Sequence, residues 1–240
     1  MSFLLKIFRY LFSTFLLDAL KKSYIKLFRG GYFALNDLDK KIEKYFNFDE
    51  DFFVELGAND GISQSNSLYF EEKKNWKGVL IEPSPINFLR CRNNRGKNSI
   101  VHCNACVGFD YEEKFVEFSY ANLMTASKSL DSDLNLSTHL NSSQKHLLPT
   151  EYIHDFGSVA KTLNQILIES DAPKKINFIS IDVEGSELEV LKGIDFNEFE
   201  IEFFLIESRK IERIEKFLHQ YNYELIEKLS VHDYLFSKKS

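Results

Sequence analysis

The chain has 240 residues, of which 44% are hydrophobic and 15% aromatic, with 23 Phe and four Pro, enough for one sizeable core and unlike a disordered or low-complexity chain. A formal net charge of −6 argues against a non-specific nucleic-acid binder, which needs a positive surface. The three cysteines, Cys91, Cys103 and Cys106, fit a reducing, cytoplasmic setting and not a disulfide framework.

The first 28 residues are strongly apolar, but Lys6, Arg9, Asp18, Lys21 and Lys22 interrupt them. The longest uncharged run, Tyr10 to Leu17, is too short to cross a bilayer, which needs roughly 20 apolar residues. No small-residue cleavage site follows, so a signal peptide is not expected. The stretch reads as an amphipathic helix, with three uses open to it: packing on the domain, pairing in a homodimer, or lying peripherally on a membrane surface. Gly30-Gly31 ends it, and NDLDKKIEKYF (36–46) reads as a second helix with Leu38, Ile42, Tyr45 and Phe46 on one stripe. Residues 1–48 are thus an N-terminal helical segment before the main domain, 49–240.

Strands and helices then alternate. DFFVELG (51–57) is a short buried strand, SQSNSLYFEEKKN (63–75) a helix, WKGVLIEPS (76–84) a strand, PINFLRCRNN (85–94) a helix and SIVHCNACVG (99–108) a third strand. Cys103 and Cys106 have the spacing C-x-x-C, but a zinc site would want a second pair, so both thiols read as small buried hydrophobes. KFVEFSYA (114–121) is a strand or hairpin arm. Residues 122–158 are rich in Ser, Asn, Asp and Thr with weak periodicity, and read as a long polar loop over the site, carrying His139, His146 and His154. Order returns with a helix at 162–170, a strand at 176–185, a helix at 187–194, a strand at 202–208 and a helix at 212–222. The closing pair, YELIEKL and DYLFSKK, adds an antiparallel edge. The expectation is an α/β three-layer sandwich around a mostly parallel sheet.

Four apolar strand runs end in acids: Glu55 with Asp60, Glu82, Asp182 with Glu184, and Glu207. In an open α/β sheet all of these fall at the carboxyl edge, where ligands bind. One such acid is an ordinary solvated strand end; four together repel unless they hold something. Gly57 and Gly61 allow a tight turn and a close ligand. A dinucleotide site would read G-x-G-x-x-G, whereas G-A-N-D-G lacks the second glycine and puts an acid where a pyrophosphate would sit, which disfavours an NAD enzyme. Glu82 lies 25 residues beyond Gly57, where an acid can take both hydroxyls of a ribose. Adenosine with a cationic group points to S-adenosylmethionine.

With these motifs in place, residues 53–94 and the block INFISIDVEGSELEVLKGIDF resemble the FkbM family of S-adenosylmethionine-dependent methyltransferases, over about residues 50–237. The stretch Asp182 to Gly193 is the most specific part. The resemblance implies a class I methyltransferase, Rossmann-like fold and O-methylation, often of sugars, polyketides or surface polysaccharides. It implies that Glu55, Gly57, Asn59, Asp60 and Gly61 hold the methionine end of the cofactor, that Glu82 takes the ribose, that Ala105 and Cys106 lie by the adenine, and that Asp182 faces the methyl-transfer centre. The N-terminal helix and the polar loop lie outside it, so the acceptor, a small molecule or glycan, does not follow.

A sugar hydroxyl needs a general base or a metal that lowers its pKa. Asp182 is the first choice of base, with Glu184 and Glu207 as partners and His139 and His232 as alternatives. Asp182 and Glu207 also suit Mg²⁺ or Mn²⁺ through oxygen ligands. Ser186 reads as a helix cap, with Glu187 and Glu189 favoured by the positive helix start. A second reading of the whole chain is a non-catalytic assembly protein that keeps the cofactor fold and docks through its N-terminal helix.

Overall fold

The structure, a computed structural model, describes residues 2–46, 51–147 and 151–239, the side chains of residues 2–14 and of His146 excepted. The first element is α1 (Ser2–Phe28); Gly30 and Gly31, both at positive φ, turn the chain into α2 (Leu38–Glu43). β1 (Phe52–Leu56), α3 (Leu68–Lys74), β2 (Lys77–Ile81), α4 (Pro85–Asn94) and β3 (Ser99–His102) follow in the expected alternation. The 63–75 helix begins only at Leu68, because residues 62–67 are drawn into side-chain bonds with Glu55 and Asp60.

The run SIVHCNACVG is not one strand. It breaks at Cys103-Asn104, and β4 (Ala105–Val107) leaves β3 for another sheet. β5 (Phe115–Tyr120), β6 (Ala126–Ser127) and β7 (His154–Thr162) complete that sheet in the order β4-β7-β5-β6, with α5 (Leu136–Ser143) between β6 and β7. The expected polar loop at 122–158 therefore contains a short strand, a helix and the start of a nine-residue strand. β7 escapes periodicity because most of it is half-exposed and its ladder partner, β5, is far away in sequence, Phe118 facing Phe156.

Beyond it come α6 (Leu163–Glu169), β8 (Lys175–Ile181), α7 (Glu187–Lys192), β9 (Glu200–Glu207), α8 (Ile211–His219), β10 (Tyr223–Lys228) and β11 (Asp233–Lys238). Thr162 and Gln165 close a reciprocal capping box at the start of α6. The main sheet runs β3-β2-β1-β8-β9-β11-β10. The first five strands are parallel, and the order reverses between β1 and β8, the switch point of a doubly wound sheet. The antiparallel element lies at the C-terminal edge, but β11 slots between β9 and β10 and runs against both.

Alternation along each strand builds the two faces. Val54, Leu56, Ile179, Ile181, Phe204 and Ile206 pack with Leu163, Ile166, Val190, Leu191 and Ile214 of α6, α7 and α8. Phe53, Leu80, Phe178, Leu205 and Leu235 pack on the other side with Ala34, Leu38, Ile42, Phe70 and Trp76. Residues 34–42 thus share the core of the sheet. This is a three-layer, Rossmann-like α/β architecture.

Candidate active site

The turn after β1 is shaped by backbone against backbone. Gly57 sits at φ +79°, and a Cβ there would lie 1.8 Å from the carbonyl oxygen of Asp182. Its glycine is required by the neighbouring strand end, where the sequence pointed to ligand approach. The Asp182 N–H donates to Leu56 O, and Gly57 and Ala58 donate to Ile81 O, so β1, β2 and β8 end at one level. Gly61 has φ +76° and packs on Arg95 and Cys91 of the α4 end.

The acids of this half are well partnered. Glu55 accepts from the Ser65 and Ser67 hydroxyls and the Asn66 N–H, with Arg95 3.5 Å away. Asp60 accepts from the N–H groups of Ile62 and Ser63, from the Ser63 hydroxyl and from Arg90. Lys21 lies 3.8 Å from it, and these donors and cations hold its carboxyl below the usual range against the cost of burial. Glu82 accepts from Asn59 N–H and Ser84 N–H, both at 2.9 Å; burial raises its pKa to about 7.

The acids of the other half face one another. Asp182, Glu184 and Glu207 each bring a carboxylate oxygen within 4.8 Å of the others, the one such metal-sized group among the described residues. Burial and the neighbouring Glu207 carboxylate push Asp182 well above the ordinary carboxylate range. Burial and Glu207 raise Glu184 to about 8, with Arg209, 3.7 Å from it, opposing. Its Oε2 has no hydrogen-bond partner, and its backbone is held at φ +54°. Glu187 accepts from Val183 N–H and Gly185 N–H; burial raises it to about 8. Ser186 stands at the start of α7, but its hydroxyl makes no capping bond.

A cavity of about 270 Å³ joins the two halves at the carboxyl edge of the sheet. Its walls include Glu55, Gly57, Asn59, Glu82, Ala105, Cys106, Asp182, Glu184 and Glu207, so most of the expected residues meet in one place. Asp60, Gly61, His139 and His232 are not among its lining residues. His139 is buried, its Nε2 3.0 Å from Met124 O and 3.6 Å from Glu184; burial lowers its pKa. Cys103 lies half-buried with its thiol on Pro83 O, and all three cysteines are free.

Sequence reading missed the residues that roof and close the cavity. Asn122, at φ +56°, reaches Asn59 with its amide oxygen, and its amide nitrogen donates to Glu151. Leu35 and Leu38 come from the N-terminal segment, Phe118 and Leu130 from around β5, and Asp233 from β11. The segment before α5 is latched to the acid side: Asp133 accepts from Arg209 and Lys210 N–H and donates its own N–H to Gly185 O, while Asp131 pairs with Arg213. The one signal in the sequence was the density of Asn and Asp, the residues that tolerate left-handed backbone.

The lining fits an S-adenosylmethionine-sized donor in its chemistry. Each Glu82 oxygen takes one backbone N–H and keeps a lone pair for a hydroxyl, and Glu184 Oε2, which accepts no hydrogen bond and has Arg209 3.7 Å away, lies in an acidic region that gains from a further cation. Several known proteins resemble the chain. A methyltransferase FkbM domain model matches residues 55–225. Methyltransferase 1 of Beauveria bassiana (strain ARSEF 2860) is 26% identical over 152 residues, 61% of this chain and 59% of the relative. The crystal structure of methyltransferase FkbM from Methylobacillus flagellatus KT aligns over 81% of this chain and 45% of its own at 17% identity and a TM-score of 0.45. A human methyltransferase 10 domain containing protein aligns over 92% and 93% at 10% identity and a TM-score of 0.46. The chain spans 59% of the length of the fungal relative and 45% of the bacterial structure. With the family model matching more than half of its length, the chain belongs to the methyltransferase FkbM domain family.

Proposed function

We propose that the protein is an O-methyltransferase that uses S-adenosylmethionine to methylate a hydroxyl of a sugar or nucleotide-sugar for surface polysaccharide. The observation that carries this is one cavity with Glu82, each of its oxygens holding a single backbone N–H, on one wall and three acids that face one another, Asp182, Glu184 and Glu207, on another. S-adenosylmethionine, when bound, supplies a methyl group on a sulfonium and leaves as S-adenosylhomocysteine. Glu82 would take the two ribose hydroxyls, while Asn59, Gly57 and Glu55 would form the wall by the methionine end and Ala105 with Cys106 the wall by the adenine. Asp182 would hold the acceptor's hydroxyl and take its proton. Burial and Glu207 raise the pKa of Asp182, which strengthens it as a base. The polar lining contributed by Asn104, Asn122 and Thr125 suits a polyhydroxylated acceptor.

The same three acids suit Mg²⁺ or Mn²⁺, which would instead lower the hydroxyl's pKa directly. Loss of turnover in chelator, restored by either ion, favours the metal; full activity in chelator leaves Asp182 as the base. The primary test is calorimetric titration with S-adenosylmethionine beside NAD, with Glu82→Ala as control, followed by methyl transfer to a panel of nucleotide-sugars. Binding of S-adenosylmethionine alone, weakened by the substitution, is expected. Methylation confined to apolar phenols or lipids would overturn the sugar assignment.

A further inference from the structure

α1 is rich in apolar residues, yet its described side chains, those of residues 15–28, meet the body along one side. On that side Asp18 is bound by Arg90, Nη2 to Oδ1 at 2.8 Å, and Ile25 packs with Phe33, Ile62 and Leu68. Arg90 also reaches Asp60, and Lys22 and Lys26 pair with Glu72, so the helix is fixed to the body by buried and half-buried charge. The other side carries Leu16, Leu17, Leu20, Tyr24, Leu27 and Phe28, each more than half exposed. At 3.6 residues per turn these six fall within about a third of the circumference and run about 18 Å. A contiguous apolar stripe of that kind marks an interaction surface.

Charge selects the occupant. Residues 1–29 hold Lys6, Arg9, Lys21, Lys22, Lys26 and Arg29 against the single acid Asp18, in a chain of net charge −6. Lys21, Lys26 and Arg29 keep 45%, 45% and 39% of their side chains exposed while paired. By the same periodicity Lys6 and Arg9 fall on the side of the stripe and Lys21 at its edge, whereas Lys22, Lys26 and Arg29 fall opposite, on the side that meets the body. Two copies stacked stripe to stripe would bring the stripe-side cations together, whereas an anionic lipid surface meets them with opposite charge. No helix among the described residues is long and apolar enough to cross a membrane. We propose that α1 lies in the surface of an anionic bilayer, its Leu16-to-Phe28 stripe seated roughly 5–10 Å deep and Lys6 and Arg9 on lipid phosphates. This assignment is independent of the methyl acceptor.

The test is flotation of the full-length protein with phosphatidylcholine vesicles, with and without about one-third phosphatidylglycerol, beside light scattering in solution. Binding to the anionic vesicles is expected, about tenfold weaker on phosphatidylcholine alone or in high salt, the worth of one or two basic residues near such a surface. Leu20→Asp with Leu27→Asp should abolish it while leaving the melting temperature unchanged, since both positions are exposed. No binding to anionic vesicles would overturn the proposal, as would binding that survives the double substitution. A dimer in solution that the substitutions dissociate, with no flotation, would give the stripe to a second copy and also overturn it.

Discussion

Six carboxylates end strands or turns at one edge of this sheet, and their two groups differ in what surrounds them. Glu55, Asp60 and Glu82 are each met by at least two backbone N–H groups, hydroxyls or guanidinium groups. Asp182, Glu184 and Glu207 are met mostly by each other, with Arg209 at 3.7 Å and 3.9 Å from two of them. Saturated acids organise the chain: Glu55 and Asp60 between them tie down residues 62–67. Acids left facing one another store unfavourable charge that a proton, a cation or a reacting group relieves. Glu82 stands between, saturated on one lone pair per oxygen and free on the other.

That contrast is broken or sharpened by four measurements. The largest effect should come from Asp182→Asn: methyl transfer falls about 10²- to 10⁴-fold, the usual worth of a general base, while the melting temperature holds or rises because a desolvated acid has gone. A large loss of stability with activity retained would place Asp182 with the structural acids. Next is Arg95→Ala, which removes the guanidinium that donates to Glu71 at 2.7 Å and also holds Ser65, Ser67 and the Gly61 carbonyl. Denaturant unfolding should show about 3–5 kcal/mol lost, the cost of stranding a buried partner. Gly57→Ala is third: its Cβ would meet the Asp182 carbonyl, so on the order of 1–3 kcal/mol of strain is expected, read as a lower denaturant midpoint.

The remaining measurement is pH dependence. Glu82 and Glu187, raised to about 7 and about 8 by burial, bind protons more tightly folded than unfolded. Their contribution is fully present below the ordinary glutamate range and is lost as pH climbs through those values, so the melting temperature should fall steadily between about pH 5 and pH 9. Glu187→Gln should flatten that slope; an unchanged slope would show that Glu187 is not the group responsible.

Much of the frame was legible because a strand buried on both sides must be apolar throughout, as FFVEL, KGVLI and KINFISI nearly are. The helix expected at 162–170 is found as α6, and a capping box of Thr162 and Gln165 closes its start. The second sheet was not legible, because β5 and β7 are half-exposed and are specified by each other across nearly 40 residues. Nor could the sequence separate Asp60 from Asp182, since both are acids at the end of apolar runs. What separates them is Arg90 and two backbone N–H groups on the one side, and Glu207 on the other. Gly57 was rightly marked as special, but its reason, the Asp182 carbonyl, lies 125 residues away.

The placement of β11 sets an order of assembly. β10 joins the main sheet only through β11, and β9 meets it along its other edge. A growing chain that has already made α8 and β10 therefore holds an open slot beside β9, filled only when residues 233–238 arrive from solution. Pairings this distant close slowly, and the open edge is a site of mispairing until they do. Asp233, at the start of that strand and opposite Glu207 in register, lines the cavity. The wall beside the facing acids is thus built after β9 and β10, and long after the 57–61 turn across from it.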